Sequence, residues 1–207
     1  MKARWIVCSI SLFVAVAFAA GSILAQETKP VKKKPLNEFA KEAMEKAWAE
    51  AMLPGEHHER LERMAGSWTY TGKVWMDPGA PPTETSGTSE QKMILGGRFL
   101  QLDVKGTHVG QVFEGIGFAG YNNLAKEYQS VWMDNMGTMI VTMTGECDAS
   151  GKILTSHGEY KNPMTGGMTK FRSVSTMKSE DKFVDEWFEI KQDGKEVKTM
   201  ELIYTRK

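Results

Sequence analysis

Over residues 66–207 the chain runs as short alternating segments, each ended by a turn signal, with no helical stretch between them. The breaks are Gly96-Gly97, Tyr121-Asn122-Asn123, Asn135-Met136-Gly137, Asp148-Ala149-Ser150-Gly151, Asn162-Pro163 with Gly166-Gly167, and Asp193-Gly194. Each supplies Gly, Asn or Asp where a hairpin needs a positive φ or a side-chain-stabilised turn. A long series of neighbouring antiparallel strands exposes two unpaired edges unless the sheet closes on itself. The pattern therefore predicts an all-β fold, an antiparallel up-and-down β-barrel of about ten strands. Those strands are expected at 67–76, 87–95, 98–105, 107–120, 126–134, 138–147, 152–161, 168–178, 181–191 and 195–206. With no helices between strands, a parallel α/β sheet is excluded. The segment 77–86 carries three prolines, which donate nothing to a ladder, and is expected as a loop over a barrel mouth.

The N-terminal part has a different character. Lys2 and Arg4 precede an apolar run at 5–20, and small residues lead to Ala25 before Gln26. This is the layout of a secretory signal peptide covering 1–25. The run is shorter than the roughly 20 residues of a spanning helix, so no stable membrane insertion is expected after cleavage. Cys8 lies inside the run and Gln follows Ala25, so there is no lipoprotein cysteine. The expected address is exported, periplasmic or secreted. Residues 26–35 (QETKPVKKKP) read as a flexible linker.

The chain has 26 basic and 26 acidic residues, and loss of Lys2 and Arg4 leaves 24 against 26. A near-neutral chain lacks the concentrated basic face that nucleic acid requires. Cys147 becomes the sole cysteine, so no internal disulfide is available and burial must hold the fold. About 180 residues suffice for that, since a domain of about 150 hides roughly 70% of its unfolded surface. Oligomeric state is not legible in these features.

Between linker and barrel, Leu36, Phe39, Ala40, Ala43, Met44, Ala47, Trp48 and Ala51 recur at helical spacing until Pro54-Gly55. An amphipathic helix is expected within 36–55, with the barrel domain at 56–207. Its apolar stripe is expected to pack on the barrel or across a mouth; a lid or partner-binding helix is the alternative.

Several motifs resemble an exported bacterial family known as domain of unknown function 1579. They are His58-x-x-Leu61-x-x-Met64-Ala65-Gly66-Ser67-Trp68, 93–100 (MILGGRFL), Phe113-Glu114-Gly115, Gly120-Tyr121-Asn122-Asn123, 132–138 (WMDNMGT) and Tyr204-Thr205-Arg206. The resemblance implies a lipocalin-like barrel without an established activity. Gly66-x-Trp68 with Arg206 is also similar to the calycins, which pair Gly-x-Trp on the first strand with a terminal cation. If first and last strands meet, Arg206 can stack on Trp68 and cap free carbonyls at the barrel base, a structural closure by Gly66, Trp68 and Arg206. The glycine-rich strand ending in Tyr-Pro of haem-binding barrels is absent.

Chemistry is sparse. His57, His58, His108 and His157 form no ligand-spaced pair, there is no nucleophile elbow, and the glycine pairs open no helices. No catalytic residue, metal or cofactor is expected. Charges within apolar strand faces stand out: Glu114 with Val112, Ile116 and Phe118; Glu186 with Val184, Phe188 and Ile190; Arg172 with Val174. If those faces point inward, Glu114, Arg172 and Glu186 are lumen anchors for a ligand's polar end, with Trp132 as a stacking wall and Met133, Met139 and Met143 as adaptable lining. A one-residue slip in register would put them outside. The function expected is binding of a small, partly apolar or anionic ligand. A filled structural or interaction barrel, and a hydrolase or isomerase using Glu114 or Glu186 as base, are the alternatives.

Overall fold

A computed structural model describes residues 37–207 except 78, 109 and 164. The signal peptide (1–25) and the linker (26–35) expected from sequence lie outside the described residues. Two helices, α1 (Glu38–Met52) and α2 (Glu56–Glu62), precede ten strands. These are β1 (Gly66–Val74), β2 (Thr83–Ile94), β3 (Phe99–His108), β4 (Gln111–Asn122), β5 (Glu127–Asp134), β6 (Val141–Cys147), β7 (Ile153–Lys161), β8 (Met168–Ser179), β9 (Lys182–Ile190) and β10 (Glu196–Arg206). Each strand pairs antiparallel with its chain neighbour, and β1 pairs with β10, so the sheet is a closed up-and-down barrel.

Closure runs from Trp68 opposite Arg206 to Val74 opposite Met200. Trp68, Tyr70 and Val74 point inward, and Trp68 is fully buried against Phe183. Inward residues on neighbouring strands are Cα partners, so this parity passes around the wall: Tyr204 to Phe183, Leu202 to Asp185, Asp185 to Ser175.

Two boundaries differ most from the sequence expectation. Thr83–Ile94 is a strand from its first residue, so the proline-rich connection ends at residue 82 and Thr85 faces the interior. The β3–β4 turn falls at 109–110 with Gly110 at φ 76°, not at Gly106. Gly106 instead sits inside β3 opposite Gly87, and a side chain at either would strike Tyr70. Glycine there makes room for a core ring.

α2 closes the base. Leu61 is buried with Leu100 and Tyr128, while the buried His58 ring accepts the Gly55 N–H at 3.1 Å. α1 departs from its expected role, since none of its residues is buried; Phe39 and Trp48 are 85% and 61% exposed. It is held by its last carbonyls, which a helix end leaves without internal donors. Asn123 Nδ2 donates to the oxygens of Glu50, Ala51 and Leu53, and Arg98 Nη2 to that of Met52 at 2.9 Å.

Candidate functional site: the barrel lumen

The barrel is not filled. Its interior holds a chamber of about 420 Å³, running from Leu61 and Met64 above α2 to Trp132, Phe113, His108 and Asp134 at the opposite end. That end lies where β1 meets β2, β3 meets β4, β5 meets β6, β7 meets β8 and β9 meets β10. The volume falls within the roughly 300–1,000 Å³ of small-molecule pockets. A larger cleft of about 710 Å³ lies outside the base, beside α2. Two of its cations are engaged within the protein: Arg206 donates to backbone carbonyls and Arg60 pairs with Glu56 at 2.6 Å.

Trp132 is the best-defined wall of the chamber. Alternation on β5 turns Tyr128, Ser130, Trp132 and Asp134 the same way. The indole lies over Gly115 and Gly117 of the adjoining β4, where any Cβ would collide with its ring. Its Nε1–H donates to Asp134 Oδ2 at 2.8 Å, and Asp134 Oδ1 accepts the Met136 N–H at 3.0 Å. Phe113 stacks parallel to it, with centroids 6.3 Å apart. A large flat surface is thus held in place by its own neighbours.

The polar feature of the chamber is Asp185 on β9, flanked by Ser175 of β8 and Leu202 of β10. The residue is half-buried overall and lines the chamber. Ser175 stands directly across from the carboxyl, and the buried Oδ1 has no donor. Burial pushes the acid up from the usual 3.8 to about 6. Tyr204, just beyond it, is raised well above the ordinary tyrosine range by burial and then by the Asp185 charge. No Lys or Arg is among the described residues lining the chamber.

The three charges expected as lumen anchors are outside. Glu114 is exposed and pairs across the outer face with Lys105 at 3.6 Å. Arg172 forms a fork to Glu196, with Nε 2.7 Å from Oε1, and lies 4.5 Å over the Phe188 ring. Glu186 accepts from Lys198, which also binds Glu201. Their apolar face-mates Val112 and Ile116 are exposed with them. The outer face is the apolar-looking one here, and the inner face alternates glycine, serine and Asp185 with aromatics. With the two glutamates in outer ion pairs, the expected general base loses its place in the lumen. Of the three methionines, Met143 lines the chamber, Met139 is exposed, and Met133 faces outward opposite Ile116.

At the base, Arg206 lies 4.2 Å over the Trp68 ring. It donates to the oxygens of Ala65, Arg63 and Glu180 at 2.8–3.1 Å, while Trp68 Nε1 donates to Met64 O at 2.9 Å. Gly66, at φ 135°, lies where a Cβ would strike that guanidinium. Cys147 is half-buried beside α2, and burial pushes its thiol up, away from reactive thiolate chemistry.

A closed ten-stranded meander with a helix at its base and an open interior is a lipocalin-like, calycin-type barrel. The chain belongs to the family described as "Protein of unknown function (DUF1579)", whose model matches residues 53–206. No curated protein matches its sequence. Among solved structures it resembles an S-type phycobiliprotein lyase, CPES from Guillardia theta, at 12% identity and TM-score 0.54, covering 77% of this chain and 96% of that one. It also resembles Rv2717c from M. tuberculosis at 13% identity and TM-score 0.56, covering 74% and 98%. At such identities the likeness concerns the fold.

Proposed function

We propose that this protein binds one small, largely apolar molecule inside its barrel. The observation that carries the reading is the 420 Å³ chamber with a fixed aromatic wall. Gly115 and Gly117 seat the Trp132 indole flat against β4, so that the ring walls the chamber without filling it. The chamber takes an apolar body, and its few polar groups fix orientation.

The test is titration with the neutral fluorescent probe N-phenylnaphthylamine. Saturable binding at one site per chain is expected, with loss of binding in the chamber-filling variant Ser156→Phe at unchanged secondary structure. A wild type that binds no probe would remove the proposal. We further propose that binding takes place outside the cytoplasm, on the strength of the cationic, apolar start at 1–25. Sequencing the N-terminus of the protein from its own host checks this, with a start near Gln26 expected.

A further inference from the structure

The ligand expected from the sequence is partly apolar or anionic, and the inner face carries the wrong charge for an anion. We propose that the chamber selects a ligand whose polar end is a hydrogen-bond donor, a protonated amine or an N–H group, seated against Asp185. This rests on the reading that the lumen holds a ligand and adds its chemistry.

Three observations converge. First, among the described residues Asp185 is the only carboxylate on the chamber wall away from the rim, because Asp134 is already engaged by Trp132 and Met136. Second, the site is short of donors. Oδ1 has none, and no described Lys or Arg reaches the lining. From β8 the carboxyl meets the Ser175 hydroxyl, from β10 Leu202 and the Tyr204 ring, and Tyr70 of β1 packs on Tyr204 at 5.5 Å. The titratable groups facing it are thus two tyrosines, with His108 and Asp134 at the far rim; none is a resident cation. A buried acceptor without a donor is unfavourable, so a ligand bringing N–H groups completes the site and a carboxylate ligand meets repulsion. Third, the wall beside Asp185 is hydroxyl-lined: Ser173 and Ser156 are Cα partners on β8 and β7. Hydroxyls adapt to either role and can accept further ligand donors.

The raised pKa of Asp185 gives the preference a pH dependence. Above about 6 the carboxylate attracts a cation, and below it the neutral acid does not. The experiment compares three probes with one scaffold: naphthylmethylamine, naphthylmethanol and naphthoate. Wild type near pH 7.5 should prefer the amine over naphthoate by at least about tenfold, and the preference should shrink by about tenfold near pH 5. In Asp185→Asn the preference should vanish while naphthylmethanol still binds. Equal or tighter binding of naphthoate by wild type overturns the proposal without touching the chamber reading, and needs no variant. An unchanged preference in folded Asp185→Asn also overturns it. If naphthylmethanol and N-phenylnaphthylamine both fail to bind wild type, the chamber reading falls and takes this one with it.

Discussion

Asp185 should make the barrel less stable as pH rises, the reverse of the usual carboxylate. Its acid is raised from 3.8 to about 6 on folding, because burial disfavours the charged form. The folded protein therefore holds this proton between those values while the unfolded chain has lost it. By linkage, stability falls with increasing pH across that window. Below it both states are protonated and the group contributes no penalty; above about 6 both are ionised and the penalty is complete. A rise from 3.8 to about 6 corresponds to about 3 kcal/mol. Asp185→Asn keeps the shape and removes the titration. Urea unfolding of both proteins near pH 4 and pH 7.5 isolates the group, since any fixed packing difference cancels between the two conditions. The variant should gain roughly 2 kcal/mol relative to wild type between these two conditions, since part of the ~3 kcal/mol is already lost at pH 4, within a large background from other groups. A relative change below about 0.5 kcal/mol would show that Asp185 is not enclosed as described, and the lumen polarity argued from it would fail too.

The other predictions concern residues on either side of the wall. Arg172→Met should leave N-phenylnaphthylamine affinity unchanged and lower stability by about 1 kcal/mol, because its partner Glu196 is partly solvated; a lost affinity in titration would put Arg172 in the lumen after all. Gly115→Ala should destabilise by about 1–3 kcal/mol in urea unfolding through its clash with Trp132, and should relax markedly when combined with Trp132→Leu. At the base, Arg206→Ala should cost about 3 kcal/mol by losing its carbonyl bonds and its stack. In a double-mutant cycle with Trp68→Phe, non-additivity of about 1 kcal/mol is expected, and additivity would mean no energetic contact.

Strand number, order and closure are legible in the sequence because alternation and turn residues act locally. The direction each strand faces is harder to read. Ranking faces by hydropathy chooses the side with Val112, Ile116 and Phe118 on β4, and the side with Val184, Phe188 and Ile190 on β9. Both lie outside. The rule fails because a chamber kept open is lined with small and polar residues, while outer apolar groups are sheltered by long charged neighbours, as Phe188 is by Arg172 and Lys198. Parity serves better. Trp68 and Tyr70 fix the inward side of β1; the closure pairs them with Arg206 and Tyr204. Tyr204 opposite Phe183 carries the inward side onto β9 and so to Asp185, and Phe183 opposite Met177 carries it to Ser175, across a register shift between Met177 and Ser179 that a count from the β8–β9 turn alone would miss. Asp185 escapes a reading by hydropathy because its face, with Phe183, Trp187 and Glu189, is less apolar than the opposite one. The exposure of α1 has no sequence signal, since its stripe has the spacing of a packed helix.

The motifs that carry the family likeness sort by place in the barrel, and most of them sit at the base. Gly66, Trp68 and Arg206 seal it; Arg98 and Asn123 hold the end of α1; Leu61 and Met64 floor the chamber. Leu95, Gly96 and Gly97 make a turn in which all three residues have positive φ. The stretch from Trp132 to Met136, with the Gly115 beneath it, is the part of those motifs that builds the chamber wall. Asp185, Ser173 and Ser175 belong to none of them. Closure must satisfy the same backbone geometry whatever the barrel holds, so motif residues accumulate where strands first and last meet. Ligand chemistry needs only a few inward positions on otherwise ordinary strands, and it can change there without disturbing the seal. Apart from Asp134, whose carboxylate holds the Trp132 N–H, and Tyr204, the polar groups of this lumen therefore reside in residues outside the motifs that carry the family likeness.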